Sequence, residues 1–397
     1  MPRSNNTILL SDQELSLRLT PIVDMMRNDA IDAAIISDNA NIFYLTGRVI
    51  DGYLLIDSID GKMWAFVRRP SDMIGPSTLF IRKPEDIPVI ATENGIIIGA
   101  KVALERENTS WSACERLAKV FEPREICNID GIIRRARAVK TPAEIKLIAA
   151  SGIRQTEVYR KIPALYQPGM SDIDLQIEIE RQLRMAGCLG QFRIAGDSME
   201  LFMANILTGD NADNPTPYDF AMGGHGAHPS LPVGADGSII KRGHTVMVDA
   251  NGNFTGYMTD MTRVFALGKI ADEAVRAHEC SRRICHTLAD EARPGAEAKK
   301  LYERAIEIVR EENLEEYFMG HRQHAGFIGH GLGIQINESP VIAPRSRDIL
   351  QVGNVIALEP KFVIPGTGAV GIENTYVVTD DGPMKCLTNA PEEILAL

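Results

Sequence analysis

The chain has 397 residues, of which 45% are hydrophobic and 24% are charged, so it is long enough for two globular domains with full cores. Its 42 basic and 53 acidic side chains give a net charge of −11, which argues against nucleic acid or an anionic membrane as the main partner. The six scattered cysteines, with no C-x-x-C pair, predict a reduced cytoplasmic protein. Neither a signal peptide nor a membrane-spanning helix is expected, because no apolar run is long enough.

The first third of the chain predicts a mixed α/β domain that ends near Arg137. The stretch SDQELSLRLTPIVDMMRNDA has the apolar spacing of an amphipathic helix. Short strands are expected at DAAIISD, NIFYLTG, GYLLIDS, KMWAFVR, GIIIGA and KVALER. Asp60-Gly61 has the chemistry of a hairpin turn between the third and fourth of these strands.

Helix-start patterns open the second part of the chain. TPAE at 141–144 combines an N-cap threonine, a proline at the first helical position and a glutamate that can bond back to the cap. SDID at 171–174 repeats the capping pattern. Two further helices are expected over 272–292 and 296–313. Together with the hairpins that follow residue 240, these helices predict an α+β layer architecture.

Two predicted antiparallel hairpins each carry two acids within apolar strands. HTVMVDA and FTGYMTDMTRVFAL, with a turn at NGN, hold Asp249 and Asp260. NVIALEPKFVI and AVGIENTYVVT, with a turn at PGTG, hold Glu359 and Glu373. Because the second turn lies midway between the two glutamates, these residues should lie across from each other.

The four acids together predict a metal site, although any one of them could instead face water at a strand edge. Buried carboxylates are rare unless cations or metals compensate their charge. The sequence offers no matching set of four buried lysines or arginines, whereas two divalent ions would balance the acids. His330, between glycines in GFIGHGLGIQINESP, adds an imidazole ligand that the glycines allow to approach closely.

These residues resemble the ligand set of the pita-bread metallopeptidases, the superfamily of methionine aminopeptidase, aminopeptidase P, prolidase and creatinase. The family pattern is two aspartates eleven residues apart, a histidine in a Gly-His-Gly context and two glutamates. The matching residues here are Asp249, Asp260, His330, Glu359 and Glu373. The Xaa-Pro peptidase branch is the most similar, since NIFYLTG and IRRARAVKTPAEI also resemble its N-terminal domain and the junction that follows.

The resemblance implies a fold and an architecture. A pita-bread catalytic domain, creatinase/aminopeptidase-like and α+β in class, would occupy residues 138–397. A smaller α/β creatinase/prolidase-like domain would precede it at residues 1–137. Prolidase relatives are usually homodimers, so a homodimer is expected.

The resemblance also implies a metallopeptidase, either an Xaa-Pro dipeptidase or an Xaa-Pro aminopeptidase, that acts on small peptides through a hydroxide bridging two divalent ions. The ions would be Mn, Co, Zn or Fe, with Mn favoured. Asp249 would bind one ion, His330 and Glu359 the other, and Asp260 and Glu373 would bridge them. Glu359 and His330 are the catalytic candidates among these residues, with Glu359 moving a proton.

The chain departs from the prolidase-like pattern at its histidines. Asn337 stands where the family has a substrate-binding histidine, and the family's upstream histidine falls near Leu231 and Pro232. We expect His228 to take that upstream role in catalysis and substrate binding, with a surface loop as the alternative, and we expect His324 to contact substrate as well. These departures leave open a non-peptide small substrate at the same metal site, or a non-catalytic peptide-binding module of the same fold.

Overall fold

The computed structural model describes residues 10–69, 77–194 and 203–397. Contacts divide the chain into two compact units, Met1–Arg137 and Ala138–Leu397. Within the described ranges, none of the helices combines the length and the apolar character needed to cross a bilayer.

The first unit is a sheet with helices. Its helices are α1 (Asp12–Asn28), α2 (Asn39–Thr46), α3 (Ile87–Glu93), α4 (Trp111–Phe121) and α5 (Asp130–Ala138), the last of which ends one residue into the second unit. Its strands are β1 (Ala33–Ile36), β2 (Gly52–Asp57), β3 (Lys62–Val67), β4 (Thr78–Phe80), β5 (Lys101–Leu104) and β6 (Glu125–Asn128). The strand order is β4-β3-β2-β1-β5-β6, with β1, β2 and β3 antiparallel neighbours and β1, β5 and β6 parallel.

The prediction of a strand at NIFYLTG is wrong, because this stretch forms α2. Asp38 caps the helix by accepting hydrogen bonds from the backbone N–H groups of Ala40 (2.8 Å) and Asn41 (3.2 Å). Gly47 ends it in the left-handed region, with φ of 74°. The strand expected at GIIIGA is also wrong, since the strand begins only at Lys101.

The second unit contains the remaining elements. Its helices are α6 (Pro142–Tyr159), α7 (Asp172–Met185), α8 (Asp272–Glu291) and α9 (Ala298–Glu311). Its first strands are β7 (Ala204–Thr208), β8 (Thr245–Asn253), β9 (Met258–Ala266), β10 (Gly329–Gly331), β11 (Glu338–Ile342) and β12 (Val355–Leu358). Its last are β13 (Lys361–Ile364), β14 (Gly368–Gly371), β15 (Asn374–Val377), β16 (Lys385–Cys386) and β17 (Leu395–Ala396). Both predicted capping boxes are present, at the starts of α6 and α7.

The hairpin of β8 and β9 separates two apolar cores. Val246 and Val248 pack into a core with residues of α6 and α7, whereas Met247 packs into a second core with residues of α8 and α9. Side chains alternate along a strand, so Asp249 lies on the same face of the hairpin as Met247. On β9, Asp260 lies on the same face as Val264, and Val264 packs in the same core as Met247. Both aspartates therefore point to one side of the hairpin.

The strands of the second unit form two larger sheets and a separate pair. One sheet has the order β17-β9-β8-β7, the other β11-β10-β12-β15-β16, and β13 pairs with β14 alone. The second predicted hairpin is thus split, because β12 pairs with β15 while β13 pairs with β14. The first predicted hairpin is present, but its turn follows Asn253, so NGN lies within β8.

Candidate metal centre

The two hairpins bring four carboxylates together. In the first, Asn251 lies opposite Asp260, which puts Asp249 two residues further along the same face of the sheet. In the second, Leu358 lies opposite Asn374 and Lys361 opposite Gly371. The same register places Glu359 across from Glu373, in the gap between the two ladders. The position of the turn in the sequence predicts this pairing. All four acids are buried.

His330 is the middle residue of β10, which lies between β11 and β12. A Cβ atom at Gly329 would lie 2.4 Å from the carbonyl oxygen of Ala357, and one at Gly331 would lie 2.2 Å from that of Ser339. The two glycines therefore let three backbones come together around one imidazole. The Nδ1 atom of His330 lies 3.1 Å from the carbonyl oxygen of Gly331, and its Nε2 atom lies 3.3 Å from Oε1 of Glu359.

The side chains fall into two groups of potential ligands, and within each group the ligand atoms lie within 4.8 Å of one another. The first group is Asp260, His330 and Glu373, and the second is Asp249, Glu359 and Glu373. Glu373 belongs to both groups, whereas Asp260, the other residue expected to bridge, belongs only to the first. Glu359 groups with Asp249, although the resemblance pairs it with His330.

The first group fits a divalent ion. Two carboxylates and an imidazole suit Mn, Co, Zn or Fe. Oε1 of Glu373 is buried and has no hydrogen-bond partner among the described residues, so it is available to a cation. Its Oε2 accepts a hydrogen bond from the Thr262 hydroxyl (2.8 Å), which fixes the orientation of the carboxylate.

The second group is contacted by Lys361, which the sequence analysis missed. Its Nζ donates to Asp249 Oδ2 (2.8 Å), Glu359 Oε2 (2.7 Å) and Glu373 Oε2 (3.1 Å). The side chain is 0% exposed. The sequence offers no set of four buried cations to balance the acids, but this single buried lysine contacts three of them, so the group does not fit a divalent ion while the ammonium is in place. Lys361 follows Glu359 by two residues, but Pro360 and the change of ladder between them mean that strand alternation does not predict the direction of its side chain.

Burial and neighbouring charges shift the pKa values of several groups in the cluster. Burial raises the pKa of Glu373 to about 8, and the charge of Glu359 adds to this effect. Burial also raises the pKa of Asp260 well above its usual range, with Glu373 as the next cause. For Glu359, burial is outweighed by Lys361 and His330, which lower its pKa to about 2. For Lys361, burial is outweighed by the three carboxylates, which raise its pKa and keep it charged.

A cavity of about 190 Å³ opens beside the ligands. Asp249, Asp260, His330 and Glu359 line it together with largely apolar side chains and a few amides. The lining residues that the sequence analysis missed include Phe192, Asn205, Phe220, Asn251 and Phe327. Strand alternation could have indicated Asn251, since it follows Asp249 by two residues. The aromatic residues carry no comparable signal in the sequence.

The three predicted substrate residues have different locations. Asn337 lines the cavity. His228 is exposed, its Nδ1 lies 2.8 Å from the Ser230 hydroxyl, and it is not among the described residues that line the cavity. An isolated antiparallel bridge pairs the backbones of His228 and Leu231, and the nearby Val233 lines the cavity. His324 borders a second, smaller pocket, and its Nδ1 lies 2.8 Å from the carbonyl oxygen of Phe318.

Comparisons with known proteins agree with the resemblance over nearly the whole chain. The model of metallopeptidase family M24 matches residues 146–380, and that of the creatinase/prolidase N-terminal domain matches residues 18–139. The Xaa-Pro dipeptidase of Pyrococcus furiosus is 26% identical over 386 residues, which cover 95% of this chain and 99% of that protein. The uncharacterized peptidase YqhT of Bacillus subtilis is 24% identical over 394 residues, which cover 96% and 100%.

Solved structures show the same fold. The Xaa-Pro dipeptidase from Bacillus anthracis superposes with a TM-score of 0.80 at 21% identity, covering 96% of this chain and 100% of that one. The X-Pro aminopeptidase from Thermotoga maritima gives 0.75 at 21% identity, covering 95% and 99%. The predicted pita-bread fold with a creatinase-like N-terminal domain is thus confirmed. Because the family model matches more than half of its residues, the chain belongs to metallopeptidase family M24.

Proposed function

We propose that this chain is a metal-dependent peptidase that hydrolyses Xaa-Pro bonds in dipeptides or short oligopeptides. The observation that carries the proposal is the group of Asp260, His330 and Glu373, which borders a mostly apolar cavity in an M24 chain. The Xaa-Pro dipeptidase of Pyrococcus furiosus, similar over 95% of this chain, supports the choice of bond.

The cavity residues take separate roles in this proposal. A divalent ion at the first ligand group would polarise the scissile carbonyl and activate a water molecule. Glu359, which lines the cavity 3.3 Å from Nε2 of His330, is assigned to move the proton. Asn337 can donate a hydrogen bond to the peptide but carries no charge. The bridging hydroxide that the resemblance implies would need a second ion in place of the Lys361 ammonium.

The proposal also includes the identity of the metal, the cellular location of the enzyme and its oligomeric state. We propose Mn as the preferred metal, with Co, Zn and Fe as the alternatives that the same ligands accept. We also propose a cytoplasmic homodimer with small peptides as its substrates. Light scattering coupled to gel filtration would test the dimer, for which a single chain of 43.6 kDa is the contrary result.

Hydrolysis of three peptides tests the proposed activity. Ala-Pro, Ala-Pro-Ala and Ala-Ala are compared after reconstitution with Mn²⁺, with a chelator-treated blank. We expect metal-dependent cleavage before proline and none of Ala-Ala, and the ratio of dipeptide to tripeptide turnover distinguishes dipeptidase from aminopeptidase. Asp260→Asn removes a proposed ligand and should abolish the cleavage.

A second candidate is hydrolysis of a non-peptide small molecule at the same site. It is favoured by Lys361, whose ammonium contacts three of the five expected ligands, and by the exposed position of His228, which was expected to bind substrate. Protein that demonstrably carries metal but cleaves neither prolyl peptide would reject the first proposal and leave this one.

A further inference from the structure

The ammonium group of Lys361 lies where a second divalent ion would bind. Its Nζ is 2.7–3.1 Å from one oxygen of each of Asp249, Glu359 and Glu373. These three residues are the whole of the second ligand group. The lysine side chain is 0% exposed, so the ammonium is enclosed by the cluster and has no contact with bulk water.

An ammonium and a divalent ion do not share these oxygens. Carboxylate oxygens bind ions such as Zn²⁺ at about 2.0–2.2 Å, so an ion on the same oxygen atoms would lie no more than about 5 Å from Nζ. Two cations so close in a buried site repel strongly, because little water screens them. The ammonium also occupies one of the two oxygen atoms of each carboxylate in this group.

The first ligand group stays available because Glu373 divides its oxygens. Oε2 accepts hydrogen bonds from Lys361 and Thr262, whereas Oε1 has no partner among the described residues. Ligand atoms of Asp260 and His330 lie within 4.8 Å of that of Glu373. Lys361 thus orients one side of the Glu373 carboxylate and leaves the other side for a cation.

We propose that the chain binds a single divalent ion, at Asp260, His330 and Glu373, and that the ammonium of Lys361 takes the place of the second. The inference rests on the proposed function only in taking the ligand to be a divalent metal. One such ion and the ammonium together bring three positive charges to the four carboxylates. Lys361 is a positioning residue in this arrangement, because it holds Asp249 and Glu359 in place of an ion.

Metal counting on the whole protein tests the inference without reference to activity. The protein is stripped with a chelator, reloaded with excess Mn²⁺ and freed of unbound metal, and bound Mn is measured by mass spectrometry. We expect about one ion per wild-type chain and about two per chain of Lys361→Ala, which removes the ammonium and opens space. Lys140→Ala is the matched control, since Lys140 is also a buried lysine paired with a glutamate, Glu338 at 3.1 Å, and should keep about one.

Electron paramagnetic resonance of the same samples gives an independent result. Wild-type protein should show isolated Mn²⁺, and Lys361→Ala should show an exchange-coupled pair. Two ions per wild-type chain would overturn the inference, and so would none. If Lys361→Ala fails to fold, the wild-type count and spectrum decide alone. One ion in protein that cleaves no prolyl peptide would support the inference while rejecting the proposed activity.

Discussion

Glu373 has one oxygen that accepts two hydrogen bonds and one that has no partner among the described residues, so we expect the metal centre to be sensitive to substitution here. Glu373→Gln replaces one oxygen with an amide that is a poor ligand, so we expect metal affinity to fall at least about 100-fold and turnover to be nearly lost. Metal titration and Ala-Pro hydrolysis measure both effects. Glu279→Gln, at an exposed glutamate of α8, serves as the control. Full activity with all metal retained would contradict the role given to Glu373.

Asn337 is the cavity residue at which the chain departs most clearly from the prolidase pattern. Asn337→His introduces an imidazole that, when protonated, can donate a charged hydrogen bond to a carbonyl or carboxylate of the peptide. We expect KM for Ala-Pro to fall roughly tenfold, about the contribution of one hydrogen bond to a charged group, with metal content unchanged. Steady-state kinetics and metal analysis of the same preparation separate the two quantities. Loss of metal in the variant would show that Asn337 has been assigned the wrong role.

The sequence predicts which acids and which histidine form this cluster, but it does not predict that a lysine contacts three of the acids. Acids within apolar strands and a histidine between glycines indicate a ligand set, because burial makes their charge costly. Lys361 follows Glu359 across a proline, at the point where the β12 ladder ends and the β13 ladder begins. Whether its ammonium turns into the cluster depends on how the two ladders are placed, which strand patterns do not encode.

The start of α6 is the clearest local structure in the second unit. The Thr141 hydroxyl accepts from the Glu144 N–H at 3.2 Å, and the Glu144 carboxylate accepts from the Thr141 N–H at 2.9 Å. Thr141→Ala removes the first bond and should lower the free energy of unfolding by about 1 kcal/mol. Urea unfolding followed by circular dichroism measures this change. Thr141→Ser keeps the hydroxyl, so an equal loss in both variants would argue against the cap as the cause.

The mispredicted strand at NIFYLTG shows that the pattern of a short segment does not contain the contacts it makes with distant residues. An apolar run of this length fits a strand or a buried helix equally well. Its conformation is decided partly by Glu105, at the end of β5, whose carboxylate accepts from the backbone N–H of Asp38 (2.6 Å) and from Asn41 Nδ2 (2.7 Å). This partner is more than sixty residues away along the chain, whereas the capping boxes of α6 and α7, being local, are predicted correctly.

The stability of the whole molecule should depend on pH through Asp172, at the start of α7. Its carboxylate accepts from the N–H groups of Ile173 and Gly237, but burial dominates and raises its pKa to about 6. The ordinary value is 3.8, so between about pH 4 and 6 the folded chain holds a proton that the unfolded chain has released. Stability from this residue is therefore present at low pH and is lost as pH rises through that window.

Asp172→Asn removes that dependence, because an amide does not ionise. We expect the variant to gain stability relative to the wild type between pH 4 and pH 7, as measured by urea unfolding at both values. Asp60→Asn, at an exposed aspartate of the β2–β3 turn, is the comparison. Parallel stability curves for the wild type and Asp172→Asn would show that Asp172 does not titrate in this range.

The strand β10 has a consequence for laboratory evolution of this enzyme. A Cβ atom at Gly329 or Gly331 would collide with the backbone of a neighbouring strand, and His330 between them is a proposed ligand. Substitutions at these three consecutive positions are therefore expected to disrupt the strand or the metal site, so they are of no use in a selection for a new substrate. Diversity is better placed at Phe327 and Asn337, which line the same cavity on either side of the strand. A library built this way changes the shape of the pocket and leaves the imidazole where the chemistry needs it.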